Sequence, residues 1–139
     1  MGKELAVKGC TFKASISPGT ISAQCSTTTQ PSTDVLVSNN GVYFDKITVT
    51  VPSGSSVTLP SPPAGATAPS GQLMAPDTID IAGTAANILS GNKKAVLKGD
   101  NGSKAITFTF PGPNGAQVPS PVTVKVEVDD SGQTDVIAL

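Results

Sequence analysis

Val122-Thr123-Val124-Lys125-Val126-Glu127-Val128 is the longest alternating run in this chain of 139 residues. Valines alternate with polar side chains, and a period of two is typical of a strand with one buried face. We expect the valines to face the core and Thr123, Lys125 and Glu127 to face water. Two further runs, 47–51 and 106–110, alternate in the same way and are each followed directly by proline. The three runs together indicate a β protein.

Shorter β-branched runs and turn signals extend this pattern along the chain. The turn signals are the pairs that favour a positive φ or a tight turn, namely Asn40-Gly41, Asn101-Gly102, Asn114-Gly115, Ser131-Gly132 and Ser17-Pro18-Gly19. The shorter strands are predicted at 5–7, 11–16, 35–37, 78–82, 95–97 and 134–138. No window sustains a helical period, although residues 84–90 are compatible with one or two helical turns. We therefore predict an all-β fold, a small compact single domain spanning residues 1–139.

Residues 52–76 differ from the rest because six of the twelve prolines fall there, among many Ser, Gly, Ala and Thr. Such a composition is typical of a linker or long loop, and the alternative is an ordered arm that packs on a partner. A sequence echo flanks this segment, since residues 35–52 resemble residues 96–111 in their order of strand, Asn-Gly turn, strand and proline. The echo leaves two interpretations open, chance similarity of hairpins or two similar β units.

The missing residue types exclude several classes of function. The chain has no histidine, no arginine and no tryptophan, so it lacks a histidine general base, a histidine metal ligand and a guanidinium clamp. Nine lysines against ten carboxylates give a net charge of −1, and the lysines are scattered, which argues against nucleic-acid binding. We expect a protein that is not an enzyme. The first residues lack the apolar core of a signal peptide, so we expect synthesis in the cytoplasm without a leader.

Cys10 and Cys25 are the two cysteines of the chain. Three interpretations remain open for them: buried thiols, a disulfide that closes a loop of roughly 15 residues, or metal ligands. Two thiolates do not complete a tetrahedral zinc site, so further ligands would have to come from carboxylates or from another chain. A structural metal ion at Cys10 and Cys25 is therefore a candidate, and no other cofactor is expected.

The carboxylates and lysines offer no catalytic constellation. We interpret five aspartates as solvated turn residues, and a small lysine cluster as a solvated face or as a contact for an acidic partner. The segment from Gly99 to Ser103 is rich in oxygen ligands but lacks the spacing of an EF-hand calcium loop. The aspartates are Asp77, Asp80, Asp100, Asp129 and Asp130, and the lysines are Lys93, Lys94 and Lys98.

Four segments resemble the PAAR-like proteins, which cap the central spike of phage tails, type VI secretion systems and related contractile injection devices. They are the short N-terminal strand that ends in Gly9-Cys10, the turn Ser17-Pro18-Gly19-Thr20, the run Ile79-Asp80-Ile81-Ala82-Gly83-Thr84-Ala85, and the run from Asn92 to Asp100. Many members of that family hold a metal near the apex with His and Cys. Because this chain has no His, the resemblance carries over at most Cys10 or Cys25 as ligands.

The resemblance implies a structural, non-enzymatic tip protein. It implies a monomer seated on a trimeric spike protein, transient contact with a target membrane, and assembly into a phage-like particle or injection apparatus. Prolines that fit the native backbone stabilise such a body by restricting the unfolded chain. Three alternatives stay open: a secreted β-sandwich adhesin or carbohydrate-binding module, a self-assembling sheath, tube or pilus subunit, and an enzyme that needs neither His nor Arg.

Overall fold

A computed structural model describes residues 3–85, 89–134 and 136–138. These residues form fifteen strands and one turn of 3-10 helix at Pro113–Gly115, and they include no helix long and apolar enough to cross a bilayer. The prediction of an all-β fold is confirmed. The strands are β1 Lys3–Glu4, β2 Thr11–Ser15, β3 Thr20–Ser22, β4 Ser26–Thr27, β5 Leu36–Val37, β6 Asn40–Gly41, β7 Lys46–Val51, β8 Ser56–Thr58, β9 Ser70–Gln72, β10 Asp77–Ala82, β11 Leu89–Ser90, β12 Lys93–Lys94, β13 Asn101–Pro111, β14 Gln117–Asp130 and β15 Ile137–Ala138.

The largest sheet has six strands in the order β2-β14-β13-β9-β8-β3, and every pairing is antiparallel. Its two edge strands, β2 and β3, contact each other, so the sheet nearly closes on itself. The hairpin of β13 and β14 is its longest part, with eleven paired residues. At about 3.4 Å per residue this hairpin spans roughly 35 Å. Its turn at 112–116 therefore lies far from its open end at Asn101 and Glu127.

A three-stranded antiparallel sheet, β10-β7-β4, packs on the six-stranded sheet and encloses the main core with it. The core holds the apolar face of each alternating run: Ile47, Val49, Val51, Ile79, Ile81, Ile106, Phe108, Phe110, Val122, Val124, Val126 and Val128. All four valines of the run that starts at Val122 are buried, while Thr123 and Lys125 are exposed, as the alternation predicts. Burial of each such side chain contributes roughly 1.5–3 kcal/mol to the hydrophobic free energy of folding.

Residues 52–76 contain two strands of the six-stranded sheet, β8 and β9. The loop between them is held at both ends and in its middle. The Leu59 N–H donates to the Pro69 carbonyl at 2.9 Å, and the Thr67 N–H donates to the Pro111 carbonyl at 2.8 Å. Leu59 and Ala66 pack against the main core. The segment is therefore ordered, but it packs on the protein's own sheet, which neither a linker nor an arm on a partner describes.

Two of the predicted Asn-Gly turns are strand residues instead. Asn40-Gly41 is strand β6, and Asn101-Gly102 begins β13. A Cβ atom on Gly41 would lie 2.0 Å from the Ser32 carbonyl oxygen, and a Cβ on Gly102 would lie 2.0 Å from that of Asp80. These glycines therefore allow a close backbone approach. The predicted turn at Asn114-Gly115 is confirmed, with positive φ at both residues.

The possible helical turns over 84–90 fall partly outside the described residues. Within the described part, Thr84 and Ala85 form no helix, and Leu89–Ser90 is strand β11. The turn that follows β11 has positive φ at Gly91 and Asn92. Such a two-residue turn with both φ values positive is the usual connection of a tight hairpin.

Candidate functional site

Three short apolar segments from distant parts of the chain meet at one end of the main core. They are residues 5–7, 42–44 and 95–97, called the ring below. The Ala6 N–H donates to the Val96 carbonyl at 2.8 Å, the Val96 N–H donates to the Tyr43 carbonyl at 2.9 Å, and the Tyr43 N–H donates to the Ala6 carbonyl at 3.1 Å. The hydrogen bonds therefore run in one direction around a closed cycle of three segments.

The same three-fold relation holds for the neighbours of these residues. The first residue of each segment is paired with the last residue of another, as Leu5 with Leu97, Val42 with Val7, and Ala95 with Phe44. The residue after each segment donates its N–H to the residue before another: Lys8 to Gly41 at 2.9 Å, Asp45 to Lys94 at 2.8 Å, and Lys98 to Glu4 at 2.8 Å. The ring thus has an approximate three-fold axis in its backbone pairing.

The ring separates two apolar clusters because its side chains alternate. The middle residues, Ala6, Tyr43 and Val96, belong to the main core. The flanking residues face the second cluster, which comprises Leu5, Val7, Val37, Val42, Ala85, Ala95 and Leu97 with the partly buried Phe44 beside it. Each ring segment therefore joins the two clusters, as a strand buried on both faces does.

A two-stranded antiparallel ribbon precedes each ring segment. The three ribbons are β1 with β15, β5 with β6, and β11 with β12. Their inner strands β1, β6 and β12 lead directly into residues 5–7, 42–44 and 95–97. After the ring, the chain continues into β2, β7 and β13. The structural repeat thus has three members and aligns residues 42–44 with 95–97. The sequence similarity of two units had aligned residues 35–41 with 96–102 instead, so its register differs from that of the structural repeat.

Asp100 stabilises one of the three ring segments. Its side chain is 5% exposed, and its Oδ2 accepts the N–H of Leu97 at 2.8 Å. Its Oδ1 accepts the hydroxyl of Thr84 at 2.5 Å. The interpretation of Asp100 as a solvated turn residue is therefore wrong, because the turn after the ring folds its carboxylate back onto the backbone. Asp129 and Asp130 are exposed, as expected, but they are the last residues of strand β14 and not turn residues.

Asp77 and Asp80 lie on strand β10, so their interpretation as turn residues is wrong, and each has a lysine partner. Asp77 accepts a hydrogen bond from the Lys104 ammonium at 2.7 Å, and this bond is the main cause of a lowered pKa at Asp77. Asp80 accepts the Thr48 hydroxyl at 2.8 Å and lies 3.5 Å from the Lys46 ammonium. These are exposed ion pairs on a sheet surface, which contribute little to stability.

Cys10 and Cys25 line the same surface groove, which has a volume of about 600 Å³. Both are free thiols, and both pack partly against the main core. Burial raises the pKa of Cys10 to about 11, and it also raises that of Cys25. Tyr43 of the ring and a row of hydroxyl side chains from Ser26 to Thr29 also line the groove.

The described residues around these cysteines bring no third metal ligand to them. Within residues 3–85, 89–134 and 136–138, no three Cys, Asp or Glu side chains gather as a metal-binding group. A raised thiol pKa also disfavours the thiolate, which is the form that binds metal. The groove brings together the two residues that the sequence singled out, without a third protein ligand from the described residues.

The ring could not be recognised in the amino-acid sequence. Its segments are only three residues long, and they share no residue type at equivalent positions. Two of them do share a pattern, an apolar triplet followed by Lys and Gly, at 5–9 and 95–99. Gly9 and Gly99 both have positive φ, so this pattern marks equivalent turns.

Comparisons with family models, curated proteins and solved structures found no match to the chain.

Proposed function

We propose that this chain is the non-enzymatic cap of the central spike in a phage-like contractile injection apparatus, seated as a monomer on a trimeric spike protein. The observation that carries the proposal is the ring, whose backbone pairing has an approximate three-fold axis within a single chain. A symmetric trimer presents three identical surfaces around its axis. A monomer with an internal three-fold arrangement can meet all three at once.

The two ends of the long β13–β14 hairpin differ in a way that suits this role. One end carries the ring and the ribbons. The other carries the turn at 112–116, and the loop between β8 and β9 is tied to it by the hydrogen bond from Thr67 to Pro111. In our proposal the ring end faces the spike and the loop end leads toward the target envelope. The rigid antiparallel hairpin between them transmits the load, and contact with the target membrane is transient.

Stoichiometry is the direct test. The chain would be co-expressed with a trimeric spike protein of a contractile injection system, and the purified complex would be weighed by native mass spectrometry. We expect one copy of this chain on each spike trimer. Three copies for each trimer, or no complex, would contradict the proposal. A ladder of homopolymers without the spike protein would instead support a tube or pilus subunit.

A further inference from the structure

Three Asn-Gly dipeptides occur in the chain, at residues 40–41, 101–102 and 114–115. The glycine of such a pair has no Cβ, so its backbone nitrogen is unhindered and its backbone rotates freely. That nitrogen can attack the side-chain carbonyl carbon of the preceding asparagine and close a succinimide ring. Attack requires rotation of the backbone between the two residues, so the surrounding structure decides whether a given pair reacts.

The pair Asn40-Gly41 is held in the inner strand of a ribbon. Gly41 is buried and is paired with Leu36 of β5, and its carbonyl accepts the Lys8 N–H at 2.9 Å. The Ser32 carbonyl oxygen lies 2.0 Å from the position that a Cβ on Gly41 would take, so another backbone segment lies directly against this glycine. This pair cannot rotate unless the ribbon of β5 and β6 opens.

The pair Asn101-Gly102 is held at the start of β13. Gly102 is paired with Val126 of β14, and the Asp80 carbonyl oxygen lies 2.0 Å from the position of a Cβ on this glycine. The Asn101 side-chain amide donates to the Gly99 carbonyl at 3.2 Å. Rotation of this pair would disrupt the pairing of β13 with β14.

The pair Asn114-Gly115 lies in the turn between β13 and β14, beyond the last paired residues of the hairpin. Both residues are exposed, and their φ angles are 58° and 77°. A Cβ on Gly115 would meet no atom within 4 Å beyond its chain neighbours. The Gly112 N–H donates to the Ala116 carbonyl at 2.7 Å, and the Ala116 N–H donates to the Pro113 carbonyl at 3.1 Å, so neither bond uses an atom of this pair.

We propose that Asn114 is a site of spontaneous modification, at which the side chain deamidates through a succinimide with water as the co-reactant. The Gly115 nitrogen bonds to Cγ of Asn114 and gives its proton to solvent. The bond from Cγ to the side-chain nitrogen breaks, and that nitrogen takes a proton from solvent and leaves as ammonia. Water then opens the ring. Addition at Cγ yields aspartate, and addition at the backbone carbonyl carbon yields isoaspartate, in which the main chain runs through the side chain.

Either product alters the tip of the long hairpin. Conversion of the amide to a carboxylate changes the net charge of the chain from −1 to −2. Isoaspartate also inserts a methylene group into the backbone of a turn that the bond from Gly112 to Ala116 closes. None of the residues Pro113–Gly115 is buried, so we expect the modified chain to stay folded. The inference concerns the chain alone and is independent of the proposed function.

Trypsin separates the site from an internal control, because cleavage after lysine yields residues 105–125, with Asn114 as their only asparagine, and residues 99–104, with Asn101 as theirs. The purified chain would be incubated in mildly alkaline buffer, either folded or unfolded in urea, and then digested briefly at mildly acidic pH. Mass spectrometry measures the fraction of each peptide converted from amide to acid at each time.

In the folded chain we expect peptide 105–125 to convert at least about tenfold faster than peptide 99–104, because strand pairing must open before Gly102 can react. In urea the two rates should agree within about threefold, since both pairs have the same two residues in an unfolded chain. The contrast between the two conditions isolates the effect of the fold from that of the dipeptide.

A variant identifies the modified residue independently. Asn114→Gly removes the amide and keeps a residue that adopts positive φ without strain. Isoaspartate is measured by transfer of a labelled methyl group from S-adenosylmethionine, catalysed by an isoaspartyl methyltransferase, and Asn114→Gly should lose most of the label. Asn92→Gly is the matched control, because Asn92 also has positive φ in an exposed turn but precedes Lys93 instead of glycine. Its label should equal the parent's.

Three results would overturn the inference. Equal conversion of the two peptides in the folded chain would mean that the fold does not select Asn114. Conversion of peptide 105–125 in urea alone would mean that the turn protects this residue. Undiminished label in Asn114→Gly would place the isoaspartate at another residue.

Discussion

Replacement of Asp100 by alanine tests whether a buried carboxylate holds the ring together. In the native chain its two oxygens accept the Leu97 N–H at 2.8 Å and the Thr84 hydroxyl at 2.5 Å, while the side chain is 5% exposed. Leu97 is the last residue of a ring segment and is paired with Leu5. Loss of the carboxylate therefore leaves two donors without their acceptors at the point where the ring closes.

The magnitude follows mainly from the Leu97 N–H, which is buried, whereas Thr84 is exposed and its hydroxyl can bond to water. A buried donor left without a partner costs about 1–3 kcal/mol, so we expect the free energy of unfolding to fall by about 2 kcal/mol. For a domain of this size, 1 kcal/mol corresponds to roughly 3–4 °C in Tm. We therefore expect Asp100→Ala to melt about 7 °C below the parent chain. Asp100→Asn keeps one acceptor oxygen and should lose about half as much.

Thermal unfolding followed by circular dichroism at neutral pH measures this effect. Asp129→Ala is the matched control, since it removes the same charge from an exposed position that follows the buried Val128. Its Tm should stay within about 2 °C of the parent's. If Asp100→Ala melts no lower than Asp129→Ala, the two donors find other acceptors, and the argument that Asp100 fastens the ring is refuted.

Three further changes probe the core, the groove and the loop. Gly102→Ala should lower the free energy of unfolding in urea by about 3 kcal/mol, because its Cβ would lie 2.0 Å from the Asp80 carbonyl oxygen. Ser103→Ala, at the next residue, should leave the free energy of unfolding unchanged. Burial raises the pKa of Cys10 from 9.0 to about 11, so folding resists thiolate formation. Because the thiol is only partly buried and solvent screens it, the free energy of unfolding should fall by about 1–2 kcal/mol as pH rises from 9 to 11. In urea titrations Cys10→Ser should lack this part of the fall. An equal pH dependence in both proteins would show that Cys10 does not cause it. Replacement of residues 60–69 by Asn-Gly should lower the free energy of unfolding by about 2 kcal/mol, because it removes the packing of Ala66 and the hydrogen bond from Thr67 to Pro111. An unchanged melting curve would mean that the loop does not contribute to stability.

The alternating strands could be predicted because burial of one face leaves a period of two in the sequence. The runs at 47–51, 106–110 and 122–128 all lie within β7, β13 and β14. The Asn-Gly pairs were less informative, because glycine serves both tight turns and close backbone contacts. At position 102 glycine is required because the Asp80 carbonyl, twenty-two residues away in the chain, leaves no room for a Cβ atom. A local sequence pattern cannot indicate such a distant contact.

The three-fold arrangement could not be predicted from side chains because it is made by the backbone. Ala6, Tyr43 and Val96 are equivalent in hydrogen bonding and differ in size and chemistry. The groove could be predicted in part, because the sequence singled out Cys10 and Cys25, and both line it. The sequence did not show their environment, in which burial raises the pKa of both thiols.

The ring also bears on the order in which we expect this protein to fold. Its three segments lie near residues 6, 43 and 96, so the cycle of hydrogen bonds closes only after about two-thirds of the chain is available. The ribbon of β1 and β15 joins residues more than 130 positions apart. The β13–β14 hairpin, in contrast, needs one five-residue turn, and contacts that are close in sequence form faster than distant ones. We therefore expect the long hairpin to form early, and the ring to form late together with the pairing of β2 with β14, which joins residues from the two ends of the chain.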